Sequence, residues 1–224
     1  MDNELKFWAV SLMGPIASGK GTQAEFLAME FGLVHLENSR IIEEKFVQDP
    51  DNPVVQEAKK AYLAGQWIDP QVMMNWIIGT MKDVAARHQG IVMSSGFRTE
   101  YETEKELEFF EQAYGRENIK IITLTLSEKT SIERSLNRRI CKANRHPIPN
   151  LPEYRDLKVC PQDGSELERR VLDSPEIVPK RYQEYIVKTL PVIDFIKKRG
   201  YNIIEINGEQ SMEDVHRDIL NKLW

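Results

Sequence analysis

The sequence is poor in cysteine: Cys141 and Cys160 are its only two, too few for a disulfide framework, and a reducing compartment would keep both as thiols. It also lacks any apolar run near the roughly 18 residues that a membrane-spanning helix needs. The first residues, "MDNELKFWAV", place two acids ahead of any apolar stretch, which is unlike a signal peptide. A cytoplasmic protein without a membrane partner is therefore expected. Positive charge is not in excess either. The formal net charge of -5 argues against a chain whose main task is coating nucleic acid, while leaving room for a local basic cleft. No internal repeat is visible.

What is present is ordinary globular material. Hydrophobic residues make up 41% and charged residues 29%, so wholesale disorder is excluded. A length of 224 residues suits one domain with an insertion, or two small ones, and one domain with a mobile insert is the default.

Residues 7–13, "FWAVSLM", are apolar on both faces and stop at Gly14, the pattern of a buried parallel strand. From Gly19, "GKGTQAEFLAMEFG" has helical spacing, with Ala24, Phe26, Leu27 and Phe31 apolar and Gly32 as the stop. Residues 38–88 read as helical throughout, with Asn38, Asp69 and Pro53 or Pro70 as start signals. "GIVMSS", "IKIITLTL" and "YNIIEIN" read as further strands, the first two separated by the acidic helix "TEYETEKELEFFEQAYG". Alternating strands and helices predict a parallel sheet with right-handed crossovers. Residues 141–172 break the pattern, with four prolines and no helical period. A loop of this length inside a compact domain is functional or mobile. Helical spacing resumes over 175–199, and a last helix covers 212–223.

The strongest chemical signal is "GPIASGKGT", Gly14 to Thr22, with the spacing G-x-x-x-x-G-K followed by Gly21 and Thr22. Glycines let the backbone curl so that successive N–H groups face phosphate oxygens, and the helix starting near Gly19 adds its positive end. Lys20 would lie along the β and γ phosphates. Thr22 would bring its hydroxyl to a magnesium ion bridging them. The alternative is a glycine-containing turn with an exposed lysine, but a buried strand before it and a helix after it are the context the motif requires.

"GPIASGKGTQA", a helical block, a strand into "SGFRT", the "RSLNRR" helix and "DSPEIVPKR" after a long loop follow one another in this order. In this the chain resembles the adenylate kinases and related nucleoside monophosphate kinases over nearly its whole length. The resemblance implies an α/β fold of P-loop NTPase type: a parallel five-stranded sheet flanked by helices, with an NMP-binding insert near 38–70 and a lid near 141–172. It implies transfer of the γ-phosphoryl group of ATP, with magnesium, to AMP or another nucleoside monophosphate by a monomeric enzyme. Lys20, Arg98, Arg138, Arg170 and Arg181 would carry the chemistry. Gly14, Ala17, Ser18, Gly19, Lys20, Gly21 and Thr22 would hold the donor's phosphates; Arg134 would stack on its base and Arg138 touch its phosphates. The acceptor would meet Asn38, Arg40, Gln66, Trp67, Ile68, Gly96, Phe97, Arg98, Glu102, Arg170 and Arg181.

Converging guanidiniums also make sense on chemical grounds, because phosphoryl transfer is catalysed mainly by positioning and by cations in a water-poor cleft. Arg134 and Arg138 lie four apart, so on one helix both would face the same cleft. Any one arginine taken alone can equally be a solvated surface residue.

The chain departs from the family pattern in places. Glu43 stands where an acceptor-phosphate arginine is expected, and Arg40 is the nearby cation that can replace it. The "DGFPRT" segment is here "SGFRT", without the proline and with Ser95 for the acid that orients magnesium's water ligands. Glu102 stands where the family has an adenine-reading glutamine. A carboxylate only accepts hydrogen bonds, so it suits the two-donor edge of guanine better than adenine. It can also be a solvated residue of its acidic helix. Cys160 and Asp163 form a C-x-x-D pair where some lids of the family bind zinc, and Cys141 with His146 can complete a set; a lid held by packing alone is the other reading. A degenerate ATP-binding regulatory protein and a small-metabolite kinase remain the alternatives to a nucleoside monophosphate kinase.

Overall fold

A computed structural model describes residues 8–64, 66, 68–144, 146–148 and 154–223; Phe7, Gly65 and Trp67 lie outside the described residues, as do parts of 141–172. The chain opens with β1 (Ala9–Met13), α1 (Lys20–Phe31), β2 (Val34–Leu36), α2 (Asn38–Gln48), α3 (Pro53–Leu63), α4 (Pro70–Ala86) and β3 (Ile91–Met93). It continues through α5 (Glu100–Tyr114), β4 (Ile119–Thr125), α6 (Glu128–Asn137), β5 (Arg139–Cys141), β6 (Pro147–Ile148) and β7 (Leu167–Glu168). It closes with α7 (Val178–Glu184), α8 (Val192–Lys198), β8 (Ile203–Asn207) and α9 (Met212–Leu223).

Five strands form one sheet in the order β2-β3-β1-β4-β8, every neighbouring pair parallel. β2 is the strand that hydropathy misses: it is three residues long, "VHL", and only Leu36 is fully buried. Alternate residues of the central strands feed two cores. Ala9, Met13, Ile91, Met93 and Ile121 pack against α4, α5 and α8, while Val10, Leu12, Val92, Ile122 and Leu124 pack against α1 and α9. Burial on both faces explains why these strands read as continuous apolar runs.

Local chemistry sets the helix ends. Asn52 and Asp69 accept from the first-turn amides of α3 and α4, each with proline in the first helical position. Gly32, left-handed at φ 67°, closes α1. α2 does begin at Asn38, but that residue is not its cap: Glu37 precedes the helix, and the Asn38 side chain serves another contact described below.

Two sequence expectations change here. Residues 141–172 are not a bare loop: β5, β6 and β7 make a small antiparallel sheet in the order β6-β5-β7, with a 3-10 turn over Val171–Asp173. The helical stretch of 175–199 is also divided, running from α7 into a π-helical turn (Tyr185–Thr189) before Pro191 and α8. Among the described residues no helix is long and apolar enough to cross a membrane.

Candidate functional site

Because all five strands of the large sheet are parallel, their carboxyl ends share one edge, the place where open α/β folds collect ligands. The segment from Gly14 to Gly19 links β1 to α1 there. Gly14 is obligatory: its φ is 135°, and a Cβ would lie 2.4 Å from the Leu124 carbonyl oxygen. Lys20 opens α1 and folds back over the loop, donating from Nζ to the carbonyls of Gly14 (2.8 Å) and Pro15 (2.6 Å) and to Ser18 Oγ (3.3 Å). The first-turn amides of α1 have no carbonyl one turn earlier to bond, so this end can take an anion. Gly21 and Thr22 follow in that same turn. Ala17 sits at φ 54°, a left-handed value that the tight curl demands. From α6, Ser131 Oγ donates to the Ile16 carbonyl at 2.7 Å and braces the loop from outside.

The cations converge on this loop. Burial pushes the Lys20 ammonium down to about 7, and the charges of Arg98, Arg138 and Arg181 push the same way, opposed by Glu37. Arg181 falls to about 10, first through burial and then through Arg170 and Arg138. Arg138 and Arg181 are held together by Asp173, whose side chain is 2% exposed. It accepts from Arg138 Nε (2.9 Å) and a terminal nitrogen (2.8 Å) in a bidentate pair, and from Arg181 at 3.2 Å.

The expectation that Arg134 and Arg138 share a helix face is corrected. α6 ends at Asn137, and Arg138 is already extended (φ -70°, ψ 138°) as the chain turns into β5, so its side chain reaches Asp173 by a different route. Arg134 stays on α6 and donates to the Gly208 (2.8 Å) and Glu209 (3.4 Å) carbonyls after β8. Arg139 turns away into the small sheet, where it donates to the Leu157 and Tyr154 carbonyls.

On the other side of β1, Ser94–Thr99 leads from β3 into α5. Asn38 locks α2 to it: the Asn38 amide donates to Ser95 Oγ (2.7 Å) and Asn38 Nδ2 to the Ser95 carbonyl (3.3 Å). Asn38 Oδ1 is buried without a hydrogen-bond partner among the described residues. Arg98 is exposed, with Nε on the Ser95 carbonyl (3.0 Å). Glu102 is buried at 8% exposure and takes the Thr99 hydroxyl at 3.1 Å. Arg40 donates to the Asn144 carbonyl of the small sheet's first turn (3.0 Å) and lies 3.9 Å from Glu37. Glu43 accepts from Tyr62 on α3 at 3.3 Å. Gln66 is exposed, and Ile68 packs in the core beside α2 and α4. Gly96 and Phe97 are fully enclosed.

In the small sheet, one ligating atom each from Cys141, His146, Cys160 and Asp163 lies within 4.8 Å of all the others. Cys141 Sγ is 3.0 Å from Asp163 Oδ2, and His146 Nδ1 is 3.4 Å from Cys160 Sγ and 3.3 Å from Asp163 Oδ2.

Comparison with known proteins bears directly on this arrangement. A model of the family described as adenylate kinase matches residues 12–201. The chain belongs to the adenylate kinase family. An adenylate kinase of Bacillus velezensis is 28% identical over 214 residues, covering 93% of this chain and 94% of its own. One of Bacillus subtilis is 28% identical over 218 residues (95% and 96%), and one of Caldanaerobacter subterraneus 29% over 217 residues (96% and 95%). As a member of this family the chain is an ATP-dependent nucleoside monophosphate phosphotransferase. For an adenylate kinase family chain, two supporting residues gave no sequence signal of their role. Ser131, one turn ahead of the arginines that mark its helix, anchors the phosphate loop, and Glu106, inside an acidic run, is wholly buried.

Proposed function

We propose that Lys20 and the arginines gathered around Asp173 move the γ-phosphoryl group of ATP, with magnesium, to a nucleoside monophosphate held against the 95–98 turn. The observation that carries this is the gathering of Arg98, Arg138 and Arg181 about Lys20 on a glycine loop at the sheet's carboxyl edge, with Arg170 beside Arg181. Such a cluster repels itself until anionic phosphates arrive, so it favours a polyphosphate over any neutral ligand. In this reading Gly14, Ala17, Ser18, Gly19 and Gly21 would hold the donor's phosphates, Thr22 would supply a hydroxyl to magnesium, and Arg134 would contact the donor base. The helices over 38–70 are the NMP-binding insert, and 141–172 the lid. Asn38, Arg40, Gln66, Ile68, Gly96, Phe97, Arg98 and Glu102 serve the acceptor, with Arg170 and Arg181 closing from the lid side; Trp67, outside the described residues, is assigned to the acceptor by its place in the sequence alone. Ser95 spends its hydroxyl on α2, so its position supplies no carboxylate to magnesium's water. The enzyme acts as a monomer in the cytoplasm.

The test is turnover. Purified protein with ATP and magnesium is offered AMP, GMP, CMP, UMP and the deoxy forms in turn, and ADP formation is followed. Turnover above ATP hydrolysis with one purine monophosphate is expected, and preference for GMP over AMP follows from Glu102's acceptor-only carboxylate. No stimulation by any monophosphate would leave an ATP-binding protein without phosphotransfer.

We also propose that Cys141, His146, Cys160 and Asp163 hold zinc. Tetrahedral Zn–S and Zn–N bonds of about 2.3 and 2.0 Å require ligand atoms roughly 3.3–3.8 Å apart, close to the His146–Cys160 and His146–Asp163 separations of 3.4 and 3.3 Å. Metal would take the place of the hydrogen bonds among these groups and staple β5 to the turn before β7. Metal analysis should find about one zinc per chain, and chelation should lower Tm by about 5 °C. A metal-free preparation whose Tm ignores added zinc would rule the site out.

A further inference from the structure

The 95–98 turn is held from behind by a group with no part in the chemistry described so far. Glu106, on α5, is 1% exposed, and its Oε2 accepts the Phe97 amide at 2.7 Å. Phe97 is itself fully buried and left-handed at φ 55°, a conformation unfavourable for a bulky L-residue. Such a geometry persists only where its surroundings impose it. Two contacts do so: the ring packs edge-on against Phe110 (6.2 Å between centroids), and the inward-pointing amide meets the carboxyl.

Glu106 also fixes the residue before. A Cβ on Gly96 would lie 3.1 Å from Glu106 Oε2, 3.2 Å from Met93 Cε and 3.2 Å from Ser11 Oγ, so the backbone passes flush against the carboxyl. Burial pushes Glu106 up to about 8, only partly offset by the Phe97 amide, with Glu102 raising and Arg98 lowering it further. At neutral pH it is thus an uncharged acid. A leucine would fill such a site at no desolvation cost, so the polar group is explained by the amide it satisfies.

Immediately after Phe97 comes Arg98, whose Nε rests on the Ser95 carbonyl and whose own carbonyl accepts from Thr189 Oγ1 at 2.9 Å. We propose that Glu106 is a positioning residue for Arg98: its carboxyl pins the Phe97 amide and so fixes the turn from which Arg98 grips the acceptor's phosphate. This rests on the acceptor role proposed for Arg98 above.

The variants Glu106→Leu, Glu106→Gln and Arg98→Ala are assayed together, with AMP and with GMP as acceptor and with ATP varied separately. Glu106→Leu leaves the Phe97 amide unsatisfied and should raise the acceptor KM about tenfold while the ATP KM moves less than about twofold. Glu106→Gln keeps an acceptor of the same size and should restore the acceptor KM. A Glu106→Leu enzyme with unchanged acceptor KM, or with both KM values raised alike, overturns the proposal when Arg98→Ala does raise the acceptor KM. If Arg98→Ala leaves that KM alone, the Arg98 assignment has failed and the positioning role falls with it. Should Glu106→Leu not fold, hydrogen exchange decides: the Phe97 amide should exchange slowly in the wild type and in Glu106→Gln, and exchange as fast as an exposed turn amide in the wild type overturns the idea.

Discussion

Replacing Lys20 with Met should lower kcat by about 10³-fold and leave the protein folded. Loss of a single preorganised cation or donor at the developing charge costs roughly 10²–10³ in rate, and the phosphate-loop lysine sits at the upper end because its charge follows the transferred group. Steady-state kinetics on the variant give the number; a loss of less than about tenfold would remove Lys20 from the chemistry. The stability change should run the other way. Lys20 is held below its ordinary value, to about 7, so the folded state binds fewer protons than the unfolded chain between about 7 and 10.5. Its penalty is therefore full below pH 7 and fades as pH rises. At pH 6 the Met variant should melt higher than wild type, and near pH 10 the two should converge.

The same depression predicts how ATP binds. In the free enzyme Lys20 titrates near 7; bound triphosphate brings charge of the opposite sign and raises it. At pH 8 binding should draw in close to one proton, and at pH 6 almost none. Calorimetry in buffers of different ionisation enthalpy measures this directly. Lys20→Met should abolish the uptake.

Much of this was legible in the sequence because it is local. The strand, glycine loop and helix around "GPIASGKGT" follow from hydrophobic period and backbone freedom alone, and their arrangement places Lys20 over the carbonyls of Gly14 and Pro15. The arginines were visible as residues but not as geometry. Spacing put Arg134 and Arg138 on one face, whereas α6 stops one residue short of Arg138, and the extended backbone there sends it to Asp173. Glu106 was invisible for a further reason. It belongs to "EYETEKELE", a run whose charge reads as solvated, and its burial is set by the 95–98 turn, nine residues away along the chain. β2 escaped because three residues, only one of them fully buried, are too few to carry a period.

Asp173→Asn should destabilise the protein by about 3 kcal/mol, as removal of one partner from a buried ion pair typically does. The carboxylate is 2% exposed, while Arg138 and Arg181 are 21% and 26% exposed, so water relieves them only in part once the counter-charge has gone. Asparagine can still accept one guanidinium hydrogen bond, which confines the change mainly to charge. What remains is Lys20, Arg98, Arg138, Arg170 and Arg181 in mutual repulsion, with the charge of Glu37 opposing it at Lys20. Anions should then stabilise the variant more than the wild type, since ligand that binds only the folded state adds stability that grows with the logarithm of its affinity for that site. Urea unfolding with and without ATP measures both effects. The expected pattern is a large deficit without nucleotide that narrows at saturating ATP. A deficit under about 1 kcal/mol would show that the arginines hold their places without Asp173, and a deficit that ATP leaves unchanged would show that the repelling charges are not the ones the phosphates meet.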